Sequence, residues 1–212
     1  MTLKLWHCKD ARSFRPLWAL EEMGLDYELE ILPFPPRALR KDYFAVNVLG
    51  TVPFLRDGET GMSESVAICQ YLADRYAPDF GLGVDHPEYG AYLNWLHQSD
   101  ATLTFPQALM LRYGVFEPEE RRQPQVVEDY RRWYLARLRM LDAHVLEREW
   151  LVADRFTVAD IAIGYALHLG EFSGAAADYT PQTRAYLERL KARDGYRRAR
   201  ELQRAAPGLP AG

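Results

Sequence analysis

The sequence predicts two unlike domains: a small α/β domain with a mixed sheet, in the order βαβαββα, and then an all-helical domain. Three observations carry this prediction. Up to about residue 77, short alternating stretches are separated by turn residues, among them the hairpin dipeptide Asp57-Gly58. Residues 77–87, APDFGLGVDHP, break every periodicity, and beyond them apolar residues recur at helical spacing. The domains are expected at 1–77 and 87–212, with a linker at 78–86.

Each element has its own signal. Leu3 to His7 alternates weakly, as a first strand, and Phe14, Leu17 and Trp18 follow helical spacing toward a C-cap at Gly24. Tyr27, Leu29 and Ile31 alternate with Asp26, Glu28 and Glu30, the period of a half-exposed strand that Pro33, Pro35 and Pro36 end. Residues 37–46 read as a short irregular helix. Gly50 closes a turn, Pro53 opens the apolar run to Leu55, and Ser63 stands where a helix N-cap is expected. Two parallel strands with a crossover helix, then an antiparallel hairpin, make a mixed sheet. In the second domain Pro87 suits the first helical position, and Pro106 is expected to kink its helix. A one-sided helix should run from Glu119, and Thr157 to Phe172, apolar on nearly all faces, should be a central buried helix. Thr157 and Asp160 have capping-box spacing, with Phe156 placed to staple onto Ile161. Tyr179 to Arg204 reads as surface helix, and the tail PGLPAG is expected to fray.

Composition narrows the function. The 212 residues carry a net charge of −4 and are 48% apolar, which gives sizeable cores and no overall drive toward nucleic acid or anionic membranes. No apolar run reaches membrane-spanning length and the N-terminal MTLKLWHCKD lacks a signal-peptide core, so a cytoplasmic protein is expected. Cys8 and Cys69 are too few for a disulfide framework, and no Cys/His cluster has zinc spacing; no metal is expected. Cys8, directly after a strand, reads as a packed thiol, and Cys69 shares a helical face with Ile68 and Leu72. His7, His97 and His168 fit no metal or triad spacing.

The stretch 47–76 holds the functional signal. A proline at a strand start beside a turn is a place for a cis bond, which would turn the Val52 N–H and C=O outward as an edge for an extended peptide. With Ser63 as N-cap, Glu64 and Ser65 become the first helical residues, and their N–H groups, a hydroxyl and the positive dipole end suit a carboxylate.

The order TVPFL, DG, MSESVAICQYL resembles the glutathione-binding half of the cytosolic glutathione S-transferase family. HCKDARSFRPLWALEEMGLDYEL and RFTVADIAIGYAL resemble it too, in the right order, so the likeness spans nearly the whole chain. The resemblance implies a thioredoxin-like first domain and, in the bacterial and fungal style, a cytoplasmic detoxification transferase working as a homodimer. It implies glutathione as co-substrate and a small hydrophobic electrophile as partner, with no nucleic acid or membrane involved. Val52 and Pro53 would pair with the cysteinyl unit, and Glu64 and Ser65 would hold the γ-glutamyl end. Arg37, Arg40 and Lys41 form the nearest basic cluster for the glycyl carboxylate, since Thr51 stands where many relatives carry a cation. Phe105, Met110, Tyr113 and Phe172 are the expected electrophile pocket.

A thiol is a weak nucleophile until ionised, and a helix N-terminus with a hydrogen-bond donor lowers its pKa. Ser13, at the start of the Phe14 helix, is the expected donor, with Arg12 adding positive charge. The chain departs here from relatives with Cys, Asn or Ser in this loop. Glutathione-dependent disulfide reduction or ether cleavage on the same bound thiolate, and a non-catalytic binding module, are the alternatives.

Overall fold

The computed structural model describes residues 3–204 and 206. By contact pattern the chain forms two units: one runs to Phe80 and takes in the chain again from Ala192, and the other is Gly81–Lys191. The C-terminal helix, grouped with the helical domain in the sequence reading, thus packs in the first unit. The expected frayed tail from 207 lies outside the described residues.

In the first unit β1 (Leu3–His7) pairs in parallel with β2 (Tyr27–Ile31), in register Leu3 to Tyr27. On its other side β1 pairs antiparallel with β3 (Phe54–Asp57), which turns back into β4 (Thr60–Met62). The sheet order is therefore β2-β1-β3-β4, mixed, as expected of a thioredoxin-like domain. Gly58, at φ 57°, begins the two-residue hairpin turn, a backbone angle that favours glycine.

Helix α1 (Phe14–Met23) ends at Gly24, whose φ of 64° is the left-handed C-cap. It packs with α3 (Ser65–Tyr76) and with α10 (Asp194–Leu202). Phe14 and Trp18 meet Tyr196 of α10 edge-on, with ring centroids 5.4 and 5.1 Å apart. A second cluster, built from Trp6, Cys8, Ala11, Leu32 and Tyr43, takes in the half-buried Val52 and Phe54. The irregular helix expected over 37–46 is α2 (Pro36–Leu39) followed by a 3-10 turn at Lys41–Ala45.

The second unit holds α4 (Tyr89–His97), α5 (Phe105–Leu111), α6 (Pro124–Arg137), α7 (Arg139–Glu147), α8 (Val158–Phe172) and α9 (Pro181–Lys191). Pro87 precedes α4 rather than opening it, because the chain at Glu88 is still outside helical geometry. Pro106 produces not a bare kink but a π-helical stretch, Gln98–Thr104, leading into α5. Proline has no N–H to give to the carbonyl four residues back, and a wider turn accommodates the missing bond. The helix expected from Glu119 starts at Pro124, after a short 3-10 turn. Helix α8 is buried from Val158 to Gly170, the central position its apolar sequence predicts.

Asp160 secures the start of α8. Its Oδ2 accepts from the Thr157 N–H at 2.8 Å and completes the expected capping box, while Oδ1 accepts from the Leu151 N–H at 3.2 Å and the Tyr186 hydroxyl at 2.7 Å. Burial nonetheless pushes the carboxyl pKa up to about 6, against the lowering effect of those bonds.

Candidate functional site

Three backbone features of the first unit fix the expected ligand-binding groups, with Val52 half-buried and Ser65 4% exposed. The first is the approach to β3. The Tyr43 hydroxyl and the Asn47 side-chain amide both donate to the Thr51 carbonyl, at 2.9 and 2.8 Å, and pin the chain just before Val52. The Val52-Pro53 bond is cis, as the sequence led us to expect, and so is Phe34-Pro35. Strand pairing begins only at Phe54, and among the described residues no hydrogen bond engages the Val52 main chain. Gly50, at φ 58°, is held so close that a Cβ there would lie 2.8 Å from both the Arg37 Cβ and the Phe44 ring. The base of Arg37 is thereby kept beside the turn that leads into Val52.

The second feature is the start of α3. Ser63 is not the N-cap; Glu64 is, with extended backbone and no side-chain cap, so Ser65 becomes the first helical residue. Two serines, both N-cap types, flank Glu64 here, and only the backbone angles tell which residue precedes the helix. The Glu64 carbonyl accepts from Ile68 at 2.9 Å, and among the described residues no side chain caps the first turn. Asp57 at the end of β3 anchors the helix from behind, accepting from the Tyr71 hydroxyl at 2.7 Å and from that of Tyr76.

Arg15 completes this corner, and sequence reasoning missed it. It is fully buried, and its Nη1 donates to the Ser65 Oγ at 3.0 Å. With its oxygen accepting from a guanidinium, the serine keeps its own proton for an acceptor. The signal available was a lone Arg inside the run Phe14 to Leu20, all of which is buried in α1.

The third feature is the loop from β1 to α1, where the Ser13 hydroxyl is engaged by the main chain of the strand end. Ser13 is fully buried; its Oγ accepts from the Cys8 N–H at 3.1 Å and donates to the Cys8 carbonyl at 3.2 Å. A hydroxyl committed in both directions to the strand end has no proton left for a ligand thiol, and its side chain does not cap α1 either. Arg12 is half-buried in the turn directly before it. Cys8 is buried against the Pro33 carbonyl, with burial pushing its thiol up to about 12, and Cys69 is likewise pushed up to about 12. Neither thiol is a nucleophile at neutral pH.

The basic cluster divides. Arg40 is paired with Asp42 through two bonds, at 3.0 and 2.7 Å, and lies 3.6 Å from Glu30, so its charge is already matched. Lys41 donates to the Arg37 carbonyl at 3.0 Å and lies over the Phe44 ring. Arg37 is exposed and forms no ion pair among the described residues. The four residues expected to meet an electrophile divide too. Met110 is only 2% exposed and belongs to the core of the second unit, whereas Phe105 is 54% and Phe172 39% exposed. Tyr113, half-buried, packs under the Arg112 guanidinium and lines a shallow hollow with Val127 and Arg122. Among the described residues no group of three potential ligands is placed to hold a metal ion, and no helix is long and apolar enough to cross a membrane.

Known proteins resemble this chain over most of its length. Residues 11–75 match the model of the glutathione S-transferase N-terminal domain, and residues 105–194 that of the C-terminal domain. The glutathione S-transferase GstB of Escherichia coli K12 is 32% identical over 167 residues, covering 76% of this chain and 79% of that protein. A glutathione transferase structure from Methylococcus capsulatus superposes with a TM-score of 0.84 at 26% identity, covering 95% and 98% of the two chains. The theta class glutathione S-transferase of Xanthomonas axonopodis pv. citri, solved with glutathione bound, gives 0.78 at 25% identity, covering 93% and 96%.

Proposed function

The chain belongs to the glutathione S-transferase family, and from that premise we propose that it joins the glutathione sulfur to a small hydrophobic electrophile. It is a glutathione transferase with glutathione as co-substrate. The observation that carries the reading is the start of α3, where an uncapped helix N-terminus meets a serine backed by a buried arginine. Such a corner suits the γ-glutamyl carboxylate, with Ser65 and the first-turn N–H groups as donors and Glu64 supplying main chain and an outer carboxylate for the amino group. The cysteinyl unit then lies along Val52, whose side chain and following Pro53 are fixed from behind. Arg37 is the best-supplied cation for the glycyl carboxylate, with Lys41 behind it, and Arg40 is left to Asp42.

The thiol falls at the start of α1, beside Arg12. Its proton leaves, the charge on sulfur is held by the guanidinium and the helix dipole, and the thiolate forms the new bond to carbon as the leaving group departs. Residues 1–77 act as the glutathione-binding domain, and the helical domain from 87 presents Phe105, Tyr113 and Phe172 to the electrophile. The working form is a cytoplasmic homodimer. The inert Cys8 weighs against a route through an enzyme disulfide.

Titration calorimetry with glutathione tests the corner directly. Ser65→Ala is expected to lose a charge-assisted hydrogen bond, about 1.5–3 kcal/mol of binding, or roughly a 10- to 100-fold rise in Kd. Glu64→Ala, at an exposed position, should lose less. Wild-type protein that binds no glutathione, or Ser65→Ala that binds it unchanged, overturns the assignment. A panel of electrophiles assayed with glutathione then identifies the second substrate.

A further inference from the structure

The loop that the proposed function assigns to the thiol is held from outside by the C-terminal helix, through one buried amide. Gln203, directly after α10, is fully buried. Its Oε1 accepts from the Asp10 N–H at 3.0 Å and pairs with the His7 Nε2 at 2.9 Å. Its Nε2 donates to the Asp10 Oδ1 at 2.7 Å, and Arg200 of α10 reaches the same carboxylate. Asp10 is a residue with positive φ, 57°, outside glycine. Aspartate adopts this left-handed conformation more readily than most residues, and the bonds from Gln203 hold it there. The amide's orientation is fixed by its partners: the Asp10 N–H requires the oxygen and the Asp10 carboxylate requires the nitrogen.

We propose that Gln203 and Arg200 are positioning residues for the thiolate: together they set the Asp10 turn that presents Arg12 and keep the Asp10 carboxylate neutralised. The inference rests on the reading that the Cys8–Ser13 loop receives the glutathione sulfur. Asp10 lies two residues before Arg12, and the turn between them is closed by the Ala11 N–H on the Cys8 carbonyl at 3.2 Å. An Asp10 released from Gln203 loses the bonds that hold the left-handed backbone, and the turn carrying Arg12 relaxes with it. A carboxylate without Arg200 would also repel a thiolate nearby, which raises the pKa of the thiol. Lys9 ties the same loop to the chain just past α10, donating to the Arg204 and Ala206 carbonyls at 3.4 and 3.2 Å.

Ultraviolet thiolate titration of bound glutathione, with calorimetric Kd and melting temperature measured alongside, separates a positioning role from a merely structural one. Gln203→Met, which keeps the volume and removes the hydrogen bonds, is expected to raise the bound thiol's pKa by about one unit, a loss of thiolate at neutral pH of up to about tenfold. Its Kd for glutathione should change less than about threefold, because the peptide contacts at Val52 and Ser65 are untouched. Arg200→Gln, at a half-buried position, should give a smaller shift in the same direction with a smaller change in melting temperature than Gln203→Met, and Arg200→Lys should keep the wild-type value. An unshifted thiol pKa in folded Gln203→Met overturns the proposal; if that variant does not fold, an unshifted Arg200→Gln overturns it instead. Wild-type protein showing no thiolate band removes the thiol-site reading and this inference together, whereas a band moved by Arg12→Ala but not by these variants removes this inference alone.

Discussion

Replacement of Asp160 with alanine is expected to destabilise the protein by about 4 kcal/mol or more, enough that much of it fails to accumulate folded. The carboxylate is the shared acceptor for the Thr157 and Leu151 N–H groups and the Tyr186 hydroxyl, all of them buried. Removing it leaves each donor without that partner, and an unmatched buried donor costs about 1–3 kcal/mol. Asp160→Asn keeps one acceptor oxygen and should cost roughly half as much. The two variants also differ in their pH dependence. Burial raises the folded-state pKa to about 6, above the ordinary carboxylate value, so the folded protein binds this proton more readily than the unfolded chain does. The group's contribution is therefore fully present below the unfolded pKa and is lost as pH rises through about 6. Asparagine does not titrate, so the deficit of Asp160→Asn relative to wild type should be larger at pH 5 than at pH 7.5. Denaturant melts of both proteins at the two pH values check this, and an equal deficit at both contradicts it.

Arg12→Ala is expected to give the largest loss of activity among the loop variants. A guanidinium within hydrogen-bond reach of a thiolate contributes about 1.5–3 kcal/mol, which at about 1.36 kcal/mol per unit moves the thiol pKa by one to two units. At neutral pH the rate should fall by up to roughly 10- to 100-fold and recover in part at higher pH, while glutathione still binds. Ser13→Ala is the contrast. Its hydroxyl bridges the N–H and C=O of Cys8, so its loss should lower the melting temperature and leave the thiol pKa near the wild-type value. Thiolate titration of the two variants decides between them: a shift confined to Ser13→Ala would return the activating role to the serine.

Much of the fold was legible because its signals are local. Tyr27, Leu29 and Ile31 declare their strand by alternation, Gly24 and Gly58 declare positive backbone angles, and the Thr157–Asp160 spacing declares a capping box, and each element lies where that chemistry requires. The start of α3 was misplaced because Ser63, Glu64 and Ser65 all suit a helix entry, so local propensity does not choose among them. Ser13 is a different case. A serine before a helix has two destinations for its hydroxyl, ligand or backbone, and only the closing of the loop onto Cys8 selects the second. Met110 and Phe105 have similar apolar character, and burial alone separates them. Gln203 lies more than 190 residues from Asp10 and His7, and no periodicity or spacing connects them; only the packing of α10 on α1 brings that amide to the loop.

The proposed pairing of glutathione with the Val52 main chain has an evolutionary consequence. An amide N–H and a carbonyl are the same for every amino acid except proline, so recognition through them leaves the side chain at this position unread by the ligand. What constrains residue 52 is its apolar seat beside Tyr43 and Phe54, and isoleucine or leucine would serve that as well. A lineage can therefore drift here without changing its ligand, while Gly50, wedged against Arg37 and Phe44, has no such latitude.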